Sequence, residues 1–135
     1  MLRFIVAAFI VLHGLVHLLY FAQSRRLFEL QPGMVWPDGS WAFSRLLGDE
    51  TTRWLAGLAC TLAAIGFVVG GTVILLGQDW WRPVVVAAAA FSATVFLLFW
   101  NGKTQKLAQQ GAIAILINLA ILFYVLVLQW PDFGF

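Results

Sequence analysis

Four long apolar stretches separated by polar or turn-forming residues organise the chain, at about 4–22, 53–76, 83–100 and 107–128. None shows the strict apolar–polar alternation of a membrane β-barrel strand. Each comes close to the ~20 residues that a helix rising ~1.5 Å per residue needs to cross a ~30 Å hydrocarbon core. The pattern predicts an all-α integral membrane fold: a four-transmembrane-helix bundle forming a single domain over 1–135, with one longer polar loop between helices 1 and 2.

The punctuation between the stretches supports the same layout. From Gln23 to Thr52 the chain is rich in charge and turn chemistry, with Arg25, Arg26, Glu29, Pro32-Gly33, Pro37-Asp38-Gly39, Asp49 and Glu50. Inside this loop Ser40 is a candidate N-cap, Gly48 a candidate C-terminus, and Trp41, Phe43, Leu46 and Leu47 form one apolar side of a short interfacial helix. An ordinary ordered loop fits those residues equally well. Asp49, Thr51 and Thr52 can cap the second span, and Pro83 suits the first turn of the third. Asn101-Gly102, followed by Lys103 and Lys106, is a turn that makes spans three and four antiparallel neighbours, and Trp130-Pro131 ends the fourth. The first stretch is long for a cleaved signal peptide and has no small-residue cleavage pattern near its end, so it is expected to stay as a span.

Composition makes lipid the natural solvent. Of 135 residues, 62% are hydrophobic and 10% charged, whereas a soluble domain carries about a quarter charged residues. A water-facing fold would expose more apolar surface than soluble monomers tolerate. The net charge of +2 does not point to nucleic acid, because the basic residues sit singly or in pairs at span ends rather than in a stripe. With four crossings, Arg3 and Arg82 share one side, while Arg25, Arg26, Arg45, Arg53, Lys103 and Lys106 share the other. The positive-inside rule then puts both termini outside and the long loop in the cytoplasm. Trp54 and Trp100 mark the inner interface, and Trp80, Trp81 and Trp130 the outer one.

The candidate chemistry is sparse. Gly66 and Gly70 form a G-x-x-x-G in the second span, suited to close helix packing within the bundle or across a homodimer. The single cysteine, Cys60, allows no internal disulfide and reads as a small buried hydrophobe. His13 and His17 are the sharpest signal, since histidine is costly in a bilayer core and tends to face the bundle interior. Their i, i+4 spacing sets both imidazoles on one helix face. They could share a metal ion, ligate haem across a dimer, contact a quinone, or mark a proton or ligand path. Alternatively each is a neutral interior histidine bonded to Asn118, Thr94, Ser92 or a backbone carbonyl. Asn118 lies at about the depth of His13. No nucleophile elbow, H-E-x-x-H pattern, phosphate loop or Ser-His-Asp order is present, so no catalytic residue is assigned and an enzyme is not the expectation.

His13-Gly14-Leu15-Val16-His17-Leu18-Leu19, with Trp100-Asn101-Gly102-Lys103 closing the third span, resembles a group of small bacterial four-span membrane proteins with an HGLxHL motif in the first helix. The resemblance implies a multi-pass protein of the bacterial inner membrane and singles out His13 and His17. Such sequences are sometimes called transporter-permease-like. The expected role is non-enzymatic, through a homo-oligomer or as an accessory subunit of a larger membrane complex. The alternatives are a redox protein binding haem or quinone near His13 and His17, and a small transporter or permease component.

Overall fold

A computed structural model describes residues 1–28, 34–104 and 107–135; Glu29, Pro32, Gly33 and Lys106, which entered the loop and turn reading, lie outside them. The described residues are helical, with no strand among them. The helices are α1 (Leu2–Ser24), α2 (Ser44–Leu75), α3 (Trp81–Leu98) and α4 (Ala112–Leu122), the last continuing into a π-helical turn at Phe123–Val127. Three of them are long and apolar enough to cross a membrane: mean hydropathy reaches 2.3 in α1, 2.3 in α2 and 1.7 in α3. The apolar helix Ala112–Val127 is shorter than the 18 residues of α3.

The outward faces carry Leu12, Leu15, Leu19, Leu58, Leu62, Ile65, Leu116 and Leu119, all exposed. Water would not tolerate that much contiguous apolar surface, whereas lipid favours it. The chain is therefore a helical membrane protein.

α1 lies along α2, α2 along α3, and α3 along α4. Small residues set these distances. A Cβ on Gly14 would stand 2.6 Å from Phe67 Cβ, and one on Gly70 would stand 2.8 Å from Val85 Cγ2. Gly66 similarly faces Ala88, so Gly66 and Gly70 are spent on the seam between α2 and α3. Between α1 and α4 lies an apolar cleft of about 410 Å³, lined by Phe9, Ile10, Ile117 and Ile121 with Trp81 and Val85 beneath.

Two element boundaries differ from the sequence reading, each for a local reason. α2 begins at Ser44, ahead of the expected start near 53, because the short 40–48 segment runs directly into it through a kink at Gly48 (φ 77°, ψ 167°). Ser40 Oγ accepts the N–H groups of Ala42 and Phe43 at 3.2 Å each, which is N-cap chemistry for that segment. The fourth apolar stretch is divided: a 3₁₀ turn at Leu107–Gln110 precedes Gly111, whose left-handed backbone (φ 91°) lies against the Phe96 ring where any Cβ would overlap it. Only glycine allows both at once.

The loop between α1 and α2 is more than a polar tether. Met34 and Trp36 are buried beside Tyr20, Ala56, Cys60, Val95, Phe96 and Phe99 and plug one end of the bundle. Trp41 N donates to Trp100 O (2.9 Å), Trp41 Nε1 to Leu97 O (2.7 Å), and Ser40 Oγ to Leu98 O. These bonds satisfy carbonyls that the end of α3 would otherwise leave open.

Candidate functional site

Four polar side chains from three helices meet in the interior: His13 and His17 from α1, Ser92 from α3 and Asn118 from α4. All are buried, His17 to 1% exposure and Ser92 and Asn118 to 0%. His13 Nε2 lies 2.8 Å from Asn118 Oδ1, Asn118 Nδ2 lies 2.8 Å from Ser92 Oγ, and Ser92 Oγ lies 2.6 Å from His17 Nε2. His17 Nδ1 turns back to the carbonyls of His13 (2.9 Å) and Gly14 (3.2 Å).

For neutral rings, one proton arrangement satisfies every contact. His17 Nδ1 faces only carbonyl oxygens, so it carries the hydrogen, and His17 Nε2 must accept. Ser92 therefore donates its hydroxyl hydrogen to His17, and its oxygen accepts from Asn118 Nδ2. That orientation of the amide turns Asn118 Oδ1 toward His13, whose Nε2 must be the N–H. The tautomers and the amide orientation thus follow from the network itself. The three interhelical bonds run in one sense, from α1 to α4 to α3 and back to α1.

Aromatic packing seals the ring of bonds. The two imidazoles meet edge-on with centroids 5.3 Å apart, and Phe67 of α2 lies 4.8 Å from His13 and 5.4 Å from His17. Gly14, between the histidines, makes this contact possible: a side chain there would push Phe67 away. Thr94, another partner considered for the histidines, instead bonds Ala90 O (2.8 Å) on its own helix.

The arrangement has clear chemical limits. An amide does not relay protons as an imidazole or hydroxyl does, so Asn118 interrupts any proton wire through this set. A metal shared by the two imidazoles would have to displace Ser92 or Asn118 from the Nε2 atoms. Among the described residues no group of three His, Cys, Asp or Glu side chains is placed to hold a metal. Cys60 is fully buried in the cluster that also holds Tyr20 and Phe96 and takes no part in these four residues' hydrogen bonds.

A second polar site, not singled out by the sequence reading, lies at the loop end, where Arg26, Asp38, Asp49, Thr52 and Arg53 line a cavity of about 250 Å³. In the sequence these residues stood out only singly, as loop charges, caps or a basic span end.

Fold and site together define a helical membrane protein whose core is tied by a His–Asn–Ser–His hydrogen-bond ring. Family models, curated proteins and solved structures were compared with the chain, and none matches.

Proposed function

We propose that this protein is a non-enzymatic four-crossing bundle that acts by assembly in the membrane, as an accessory subunit of a larger complex or with copies of itself. The observation that carries this reading is the self-sufficiency of the interior polar set. His13, Asn118, Ser92 and His17 bond to one another in a closed circuit that leaves only His13 Nδ1 outside it, which suits a lock that holds α1, α3 and α4 in register rather than a reacting centre. The fourth crossing is Ala112–Val127 with the turn before it. Basic residues at the loop end favour a cytoplasmic loop and external termini.

Self-assembly through Gly66 and Gly70 is disfavoured because α3 already covers them, so the partner surface is one of the exposed leucine-rich faces. Haem ligation by either Nε2 would first break a buried bond. A quinone reading draws on a different feature, the apolar cleft between α1 and α4 beside Phe9, which stacks on His13 at 6.3 Å.

The test is mild detergent extraction from native membrane followed by mass measurement and an absorbance spectrum. The expected result is a particle heavier than one chain, with no Soret band and no extractable quinone. A lone chain in every detergent, or a stoichiometric chromophore, would overturn the proposal.

A further inference from the structure

The cavity at the loop end holds four charges that stand apart. Arg26 occupies the left-handed position (φ 58°) just past α1, with Arg26 N bonded to Gln23 O (3.0 Å) and Leu27 N to Ala22 O (3.0 Å). Glycine usually fills this place in a helix-terminating motif, because a β-carbon there is strained. The arginine is nonetheless fixed in place. Its Nη1 donates to Gln23 O (3.0 Å) and Trp36 O (2.6 Å), and its Nη2 to Pro37 O (2.9 Å). All three partners are neutral carbonyls, which orient the guanidinium without cancelling its charge.

Arg53 faces the same cavity from α2, just past the Gly48 kink. Its Nε is buried without a partner, and among the described residues its guanidinium makes no hydrogen bond or ion pair. Burial and the nearby Arg53 charge both push Arg26 below the usual guanidinium range, with Asp38 partly opposing them. Asp38 and Asp49 line the cavity too; Asp38 Oδ2 accepts from Asn101 Nδ2 (3.4 Å), and neither carboxylate pairs directly with an arginine. Four charges kept only to stabilise the fold would close on one another. Here two cations and two anions are held around an opening of about 250 Å³.

The location narrows the occupant. The apolar run of α1 ends just before Arg25, and the Arg25 guanidinium stacks over the Trp54 ring at 3.7 Å. Tryptophan and arginine together mark a membrane–water interface, where phospholipid headgroups lie. We propose that this cavity binds the headgroup of a zwitterionic, ethanolamine-type phospholipid, its phosphodiester between Arg26 and Arg53 and its ammonium toward Asp38 and Asp49. Guanidinium groups match phosphate oxygens in charge and geometry, and the balanced charge of the cavity favours a zwitterion over an anionic lipid. The inference rests on these helices standing in a bilayer.

Native mass spectrometry of the full chain in detergent, with defined lipids added, tests it. Phosphatidylethanolamine is expected to stay bound under activation that strips phosphatidylcholine and phosphatidylglycerol. Arg53→Gln should cut its occupancy at least ten-fold, while Asp49→Asn should erase the preference for ethanolamine over glycerol headgroups. Arg53→Lys, which keeps the charge and loses the planar fork, should give an intermediate loss and covers the case in which Arg53→Gln fails to fold. Equal retention of all three lipids, or an Arg53→Gln chain as loaded as the parent, would overturn the proposal. Displacement by millimolar inorganic phosphate would overturn the lipid as the source of the phosphate. A chain that is monodisperse in buffer without detergent would instead remove the membrane reading itself.

Discussion

The two polar regions of this bundle make opposite use of similar chemistry. In the bundle interior, four side chains are joined by three interhelical hydrogen bonds that run in one direction, and Phe67 closes over the result. At the loop end, four charged side chains face one cavity without an ion pair among them, and one guanidinium nitrogen is left buried and alone. The difference follows from the surroundings. In hydrocarbon an unmatched polar group costs several kcal/mol, which favours a closed set. At an interface, water and headgroups can complete an open set. A closed set is the mark of architecture, and an open one the mark of a binding site.

The sharpest way to break this contrast is to remove the packing beneath the closed region. Gly14→Leu should destabilise the protein most, by about 3 kcal/mol, because the added carbons collide with Phe67 and Ala64 and part α1 from α2. Unfolding in mixed detergent micelles would measure it, and a shift under ~1 kcal/mol would show that α1 and α2 do not meet this way. Asn118→Leu comes next, at roughly 2 kcal/mol, since it strands the His13 N–H and removes one donor to Ser92.

His17→Leu should cost on the order of 1 kcal/mol, leaving the Ser92 hydroxyl without its acceptor. Unchanged stability with altered binding or transport would instead make His17 functional. A double-mutant cycle over His13→Leu and Asn118→Leu should give a coupling of about 0.6 kcal/mol, typical of interhelical bonds in membranes. At the open end the expectation reverses: Arg53→Gln should shift stability by less than ~0.5 kcal/mol, as for a surface change, while altering lipid retention. A large loss there would mean that the arginine props up the fold.

Much of the fold is legible in the residues, and for the same reason the site is only half so. Long apolar runs must be helical in lipid, because each backbone polar group then finds its partner within its own segment; α1 to α3 follow directly. Glycine placement also reads through, since Gly66 and Gly70 announce a close approach. What they approach could not be told from one helix, and α3 turned out to be the neighbour. Likewise His13, His17, Asn118 and Ser92 could each be singled out as polar residues at depth, and the matching depth of Asn118 and His13 favoured their contact, which the structure has; that Ser92 joins Asn118 to His17 depends on how three helices rotate. The division of the fourth stretch at Gly111 was hidden, because its cause, the Phe96 ring, lies on another helix.

The amino-acid sequence by itself determined the medium, the helical class and the identity of the few polar residues that must be reconciled with that medium, since hydropathy and length are properties of single segments. Tertiary structure alone decided which hydroxyl serves which ring, that Met34 and Trp36 of a nominally polar loop plug the bundle, and that Arg26 and Arg53 share one cavity. Those outcomes depend on distances between residues far apart in the chain, which no local pattern encodes.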